Sequence, residues 1–181
     1  MATLWREFYA LLGAIAGSPI PIVAALTGHA PAGGTVLAIF CDWRIMAEGD
    51  YRIGLNEVQV GIPVPPVILS GLRRLVGLRL AERMAVGGGL FSPPEALDLG
   101  LVDELVALEQ VVERAVEWCQ RLLALPPDAM SNTRRLARAD LAAVFEADLE
   151  PELQRVIAGW WSPETQATLR ALAERLGKKT G

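Results

Sequence analysis

Two short motifs contain the residues whose types could do chemistry. The first is Ala32-Gly33-Gly34, which leads into an apolar run that reaches Cys41. Glycines have no Cβ to obstruct a ligand, and the first N–H groups of a helix have no intrahelical partner. A glycine turn that opens a helix can therefore stabilise negative charge on a substrate oxygen. A tight turn in which small residues only permit close packing would show the same letters, and the residues alone leave both interpretations open.

The second motif is Gly-Leu-Asn-Glu, which ends at Glu57 and is followed by Val58. A carboxylate in an apolar setting has a raised pKa and can move a proton near neutral pH. The alternative is a helix cap or a surface acid at the end of a strand. Asn56 could orient Glu57, line a pocket or simply form a turn.

Composition excludes several classes of function. The net charge is −4, so the chain has no basic surface of the kind that nucleic-acid binding requires. Its cysteines, Cys41 and Cys119, and its single histidine, His29, do not have the spacing of a zinc site. We expect both thiols to be reduced core residues. Together with the lack of a recognisable signal peptide, this predicts a cytoplasmic protein.

The run from Phe8 to Cys41 contains no Asp, Glu, Lys or Arg, which raises the question of a membrane span. Three prolines and several glycines interrupt it, and both residue types disfavour a continuous helix. The pattern predicts a helix over 3–16, a buried strand over 21–28, and a buried helix over 32–41 that starts near Gly33. We therefore expect a water-soluble core and no membrane partner.

The rest of the chain alternates strand and helix signals before it becomes helical. Ser92 is predicted to cap a helix, with Glu95 completing a capping box. After Pro126-Pro127 the pattern is helical without strand signals. The fold class predicted is an α/β core with an α-helical C-terminal region. The other predicted elements are strands over 43–48, 51–55 and 101–106 and helices over 67–76, 79–86 and 108–125.

Three segments, taken in order, resemble the crotonase superfamily, the enoyl-CoA hydratase/isomerase family. They are "PIVAALTGHAPAGGTVLAIFCDWRIMAE", "GLNEVQVGIPVPP" and "AERMAVGGGLFSPPEALDLGLVDELV", and the resemblance extends from about Pro19 to Val106. It implies a ββα spiral core, N-terminally incomplete, over 1–125 and a helical trimerisation region over 126–181. It also implies assembly as a homo-trimer or dimer of trimers.

The same resemblance implies roles for individual residues. Glu57 would be the catalytic base, and the Gly33 N–H would be one half of an oxyanion hole for an acyl-CoA thioester. The substrate-binding residues implied are Ala32, Gly34, Asn56, Ile62, Pro63 and Pro65. No metal is implied, and no cofactor apart from the CoA thioester, which is the substrate.

One departure from the family pattern points to a reaction. Hydratases of this family carry a second glutamate in a pattern like "GGGCELA", whereas this sequence reads "AGGTVLA" with Val36 in its place. Hydration usually divides its work between two carboxylates, while moving a double bond needs one base. The sequence is thus most similar to the Δ3,Δ2-enoyl-CoA isomerase branch. This similarity predicts conversion of 3-enoyl-CoA to trans-2-enoyl-CoA in fatty-acid β-oxidation.

A second departure keeps alternatives open. The "AGxDL"-like motif that supplies the other oxyanion donor in the family does not occur in the sequence. The chain could then be a non-catalytic acyl-CoA-binding or assembly subunit. Another activity of the family, such as enoyl-CoA hydration, is the remaining alternative.

Overall fold

The computed structural model describes residues 2–177, with side chains up to residue 174. The predicted C-terminal region 126–181 therefore ends outside the described residues, at 178–181.

The N-terminal third carries the two motifs on short elements. Prolines and glycines divide the uncharged run from Phe8 to Cys41 among the first four of these elements. They are α1 (Ala2–Gly17), β1 (Val23–Leu26), β2 (Ala30–Pro31), α2 (Gly33–Phe40), β3 (Trp43–Ala47), β4 (Ile53–Gly54) and a 3₁₀ helix (Glu57–Val60). No helix within residues 2–177 is both long enough and apolar enough to cross a bilayer.

A longer set of helices follows the 3₁₀ helix. The predicted helix cap at Ser92 and its capping box with Glu95 are confirmed. The Glu95 carboxylate accepts hydrogen bonds from the Ser92 amide at 2.8 Å and from the Ser92 hydroxyl at 2.6 Å. The elements are α3 (Pro66–Val76), α4 (Leu78–Gly87), α5 (Pro93–Asp98), β5 (Glu104–Val106), a second 3₁₀ helix (Leu108–Gln110) and α6 (Val111–Leu123).

The strands form two small parallel sheets. β1, β3 and β5 pair in the order β1-β3-β5, and β2 pairs with β4. The neighbouring strands β3 and β4 therefore lie in different sheets. The strand predicted over 101–106 is shorter than expected, because Leu101 and Val102 are buried in the core without pairing.

The C-terminal region is helical, as predicted. Its helices are α7 (Pro127–Ala137), α8 (Ala139–Ala143), α9 (Glu150–Trp160) and α10 (Pro163–Gly177). Leu141 and Leu153 from this region belong to the same apolar cluster as Leu12 of α1. Buried Tyr9 also donates a hydrogen bond of 2.8 Å to Glu152. The core thus continues across residue 126, and the division into 1–125 and 126–181 stays a prediction.

Candidate active site

A cavity of about 360 Å³ lies where both ends of the chain meet the two motifs. The residues that line it come from α1, the β2–α2 turn, the 3₁₀ helix and its following loop, α3, α9 and α10. They are Trp5, Phe8, Pro31, Ala32, Gly33, Val36, Asn56, Glu57, Val60, Ile62, Pro65, Ile68, Trp160, Leu169 and Leu172. Apart from Glu57 and Asn56, these side chains are apolar or indole rings, which suits a ligand with a hydrocarbon portion.

The glycine turn bends sharply at Ala32. This residue has φ 46° and ψ −114°, an uncommon conformation for a residue with a Cβ. Its N–H donates to the Gly54 carbonyl at 2.9 Å, and its carbonyl accepts from the Val36 N–H at 2.8 Å, the first bond of α2. The turn therefore starts the helix at Gly33, where the N–H has no intrahelical partner.

The two glycines of the turn have different surroundings. A Cβ placed on Gly33 would meet no atom within 4 Å, whereas one placed on Gly34 would lie 3.1 Å from the Ala30 Cβ. Gly33 is exposed and lines the cavity. Close packing thus accounts for Gly34, while the space beside Gly33 is open on the side of the cavity.

Thr35, which sequence reasoning did not select, holds this turn in place. Its side chain is fully buried; the hydroxyl donates to the Ala30 carbonyl at 2.6 Å and accepts from the Gly54 N–H at 2.7 Å. Since Ala30 begins β2 and Gly54 ends β4, one hydroxyl joins α2 to both strands. The one sequence feature that could have identified Thr35 is its hydroxyl group within an otherwise apolar stretch.

Glu57 begins the 3₁₀ helix and lines the cavity. Its Oε2 atom is buried and has no hydrogen-bond partner among the described residues. Burial raises the pKa of the carboxyl, and a hydrogen bond from its own backbone amide offsets part of that rise. Among the described residues that line the cavity, Glu57 is the only titratable one. It therefore has the environment of a proton-transfer group.

The other predicted binding residues separate into two groups. Ala32, Asn56, Ile62 and Pro65 line the cavity, and the Asn56 Oδ1 atom is buried without a partner among the described residues. Gly34 and Pro63 do not line it. Pro63 is exposed and borders a separate groove beside α4, because the loop turns its ring away from the cavity.

Val36 lies deep in the cavity, only 1% exposed, one helical turn from the glycine turn. No carboxylate occupies that position, and the side chain cannot hydrogen-bond a water molecule. Among the described residues that line it, the cavity thus has one acid, Glu57, and the rest of its lining is uncharged.

The aromatic wall was missed by sequence reasoning. Trp5 contacts both Phe8 and Trp160 edge-on, with ring centroids 6.2 Å apart in each pair. The i, i+3 spacing of Trp5 and Phe8 places them on one face of α1. No local pattern, however, connects them to Trp160 of α9 or to α10.

The cysteines and His29 lie apart from the cavity. Both thiols are free, Cys41 buried and Cys119 only half-buried, so the prediction of a core position is wrong for Cys119. Exposed His29 accepts a hydrogen bond from the Arg52 amide through Nδ1 and packs edge-on against Tyr51. Within the described residues, His, Cys, Asp and Glu side chains form no group of three or more that could hold a metal.

Comparisons with known proteins agree with the resemblance. A family model described as "Enoyl-CoA hydratase/isomerase" matches residues 1–177. The human mitochondrial enoyl-CoA delta isomerase 1 is 34% identical over 99% of this chain and 60% of its own length. A probable enoyl-CoA hydratase of Mycobacterium avium is 36% identical over 82% of this chain and 54% of its own length.

Solved structures confirm the crotonase-type fold. The crystal structure of human mitochondrial delta3-delta2-enoyl-CoA isomerase superposes with a TM-score of 0.92, covering 99% of this chain and 70% of that one at 34% identity. An enoyl-CoA hydratase from Mycobacterium ulcerans superposes with a TM-score of 0.77 at 27% identity, over 88% of this chain and 68% of that one. The chain spans about 60% of the length of the curated human relative.

Proposed function

Because the chain belongs to the enoyl-CoA hydratase/isomerase family, we propose that it isomerises 3-enoyl-CoA thioesters to trans-2-enoyl-CoA thioesters. One observation carries this choice within the family. Glu57 is the only acid among the described residues that line the cavity, Gly33 lines the same cavity, and Val36 occupies the position at which the family resemblance puts the second glutamate of hydratases.

The proposed reaction moves one proton. The Glu57 carboxylate takes a proton from C2 of the 3-enoyl thioester, and the electron pair delocalises into a dienolate. The Gly33 N–H hydrogen-bonds the thioester oxygen as negative charge develops on it. Glu57 then returns the proton to C4, which leaves the double bond between C2 and C3 and restores the carboxylate.

The surroundings of Glu57 support this role. An acid whose pKa is raised toward the working pH both accepts and returns a proton readily. The mostly apolar lining limits the water around the carboxyl, which favours direct proton transfer between the substrate and Glu57. Substrate and product have the same atoms, so the proposed reaction needs no resident cofactor.

Hydration is less well supported, although probable hydratases are among the relatives. It would require a water molecule held beside the double bond and a second group to activate it. Val36 can do neither. A place in fatty-acid β-oxidation and trimeric assembly are parts of this proposal that rest on the family resemblance. The cytoplasmic location rests on the two free thiols.

A non-catalytic acyl-CoA-binding or assembly subunit is the second candidate. It is considered because Gly33 is the one candidate oxyanion donor that the family resemblance identifies within residues 1–181. Loss of one oxyanion donor costs a factor of about 10²–10³ in rate. Such a subunit would bind the thioester in the same cavity with little or no turnover.

A side-by-side assay distinguishes these functions. Purified protein is given 3-enoyl-CoA and, separately, trans-2-enoyl-CoA, and products are resolved by chromatography. We expect 2-enoyl-CoA from the first substrate and no 3-hydroxyacyl-CoA from the second. Hydroxyacyl product would establish a hydratase instead, and thioester binding without any turnover would establish the non-catalytic subunit.

A further inference from the structure

The C-terminal helix α10 is joined to the loop that follows Glu57 by one buried side chain, Thr165. We propose that Thr165 is a positioning residue, whose hydroxyl fixes the Gly61 turn and thereby the orientation of Glu57 in the cavity. The inference rests on the proposed function and adds to it a residue from the far end of the chain.

Thr165 has a complete set of hydrogen bonds. Its side chain is fully buried, and its hydroxyl donates to the Gly61 carbonyl at 2.8 Å. The same oxygen accepts from the Ser162 hydroxyl at 2.9 Å, and the Thr165 amide donates to the Ser162 Oγ at 3.2 Å. Ser162 immediately precedes α10, so the helix cap and the bond to Gly61 form one chain of hydrogen bonds.

Gly61 is connected in turn to Glu57. It ends the 3₁₀ helix with φ 77°, a left-handed conformation, and its N–H donates to the Val58 carbonyl at 3.2 Å. The next amide, of Ile62, donates to the Glu57 carbonyl at 3.0 Å. A Cβ on Gly61 would lie 3.3 Å from the Thr165 Cα, so the two backbones are already in close contact. Displacing Thr165 would therefore release the turn that closes on Glu57.

The same face of α10 covers the cavity. Leu169 and Leu172 lie four and seven residues after Thr165, which places all three on one side of the helix. Both leucines line the cavity that contains Glu57. Thr165 thus fixes the helix at the point where its apolar face begins to shield the carboxyl from water.

The test compares three variants of the full chain. Thr165→Val keeps the shape of the side chain and removes the hydroxyl, while Thr165→Ser restores the hydroxyl. Thr168→Val is the matched control, because the Thr168 hydroxyl donates within α10, to the Glu164 carbonyl at 3.0 Å, and forms no other hydrogen bond with the described residues. Circular dichroism verifies that each variant folds. If Thr165→Val does not fold, Thr165→Ala, which places less bulk against Gly61, takes its place.

Two readouts separate positioning from stability. The first is kcat for 3-enoyl-CoA as a function of pH. The second is the titration midpoint of the Glu57 carboxyl, followed by carbon NMR. The Glu57 signal is assigned as the carboxyl signal that disappears in Glu57→Gln. We expect Thr165→Val to lower kcat about 10- to 100-fold with a smaller change in KM, because the base is misplaced. Better access of water should also move the Glu57 pKa, and the acidic limb of the profile, to lower pH.

The charged groups near the 3₁₀ helix are unchanged in all three variants. Among them are Glu82 of α4 and Glu164 of α10, both exposed and both on helices that pack against it. A change in the Glu57 midpoint would therefore report the position and solvation of Glu57 itself.

Each outcome decides the proposal. Thr165→Ser and Thr168→Val should behave like the parent protein in both readouts. A folded Thr165→Val with the parent's kcat and Glu57 midpoint would overturn the positioning role, as would lost activity with an unchanged midpoint. If the parent itself does not turn over 3-enoyl-CoA, the proposed function fails, and the NMR midpoints alone still decide the role of Thr165.

Discussion

At the scale of single residues, the proposed chemistry depends on a Glu57 carboxylate oxygen that has no hydrogen-bond partner among the described residues. This oxygen is the buried Oε2 atom, and the other described residues that line the cavity are uncharged. An ionised carboxylate without a partner is destabilised by burial, so the proton is held more tightly than in water. In the proposed reaction, the Gly33 amide would stabilise the negative charge that develops on the thioester oxygen.

The first prediction concerns pH. The base must be deprotonated to act, and burial raises the pKa of Glu57 above its usual value of 4.5. We expect kcat/KM for 3-enoyl-CoA to fall as the pH drops through this raised pKa. Activity should therefore be lost at a higher pH than for a base with the pKa of an ordinary glutamate. The profile is measured at saturating and limiting substrate. Full activity down to pH 4.5 would contradict a buried base at this position.

The second prediction concerns the glycine turn. A methyl group at Gly33 meets no protein atom within 4 Å, so Gly33→Ala should fold with unchanged stability. It should nevertheless lower kcat/KM by about 10²–10³, because the methyl group occupies the approach to the oxyanion donor.

Gly34→Ala is the control for that substitution. Its methyl group would lie 3.1 Å from the Ala30 Cβ, so it should lower the melting temperature and affect kcat less. The interpretation of Gly33 would be wrong if Gly33→Ala turned over 3-enoyl-CoA at the parent's rate.

At the scale of elements, the site depends on how α2 is attached to the second sheet. The Thr35 hydroxyl joins β2 to β4, and Gly54 passes so close to the next segment that a Cβ would lie 2.2 Å from the Gly89 carbonyl oxygen. Gly54 also has φ 151°, a conformation that favours glycine. The carbonyl of this residue holds Ala32, so the turn at Gly33 inherits its position from β4.

The third prediction tests that attachment. Thr35→Val keeps the volume of the side chain but leaves the Gly54 amide and the Ala30 carbonyl without this partner. Each unsatisfied buried group costs about 1–3 kcal/mol, so we expect the free energy of unfolding to fall by at least about 1 kcal/mol. Urea unfolding measures it, with Thr133→Val on the exposed surface of α7 as the matched control. Equal stability of the two variants would show that the hydroxyl does not hold the sheet.

The sequence predicted the bounds of the helices better than it predicted which strands pair. Periodicity, prolines and the Ser92 cap were enough to place α1 through α6 to within a few residues, since those signals are local. The sequence did not predict that β3 and β4 lie in separate sheets. The turn at Gly49-Asp50 has the same residues whether the two strands pair with each other or not. Val36 was identifiable only because the neighbouring motif fixed its position.

At the scale of the whole molecule, the cavity is lined by residues that are far apart in the described chain, from Trp5 to Leu172. Trp5 and Trp160 are more than 150 positions apart and share one wall, and Leu172 lies further still from the motifs. Contacts of that range have no signature in one sequence, so the acid and the amide were predictable but the wall was not. The human relative extends well beyond the length that this chain matches. Oligomeric state therefore stays a prediction, which analytical ultracentrifugation would test.

The central claim is that one acid carries the proton, and replacing Glu57 by glutamine tests it most directly. The amide cannot accept the C2 proton, so we expect kcat for 3-enoyl-CoA to fall at least about 100-fold. The variant should be no less stable than the parent at neutral pH, because the raised pKa means that ionised Glu57 opposes folding above the unfolded pKa. Glu113→Gln, on an exposed position of α6, is the matched control and should retain full activity. Turnover by a folded Glu57→Gln protein at the rate of that control would contradict the account.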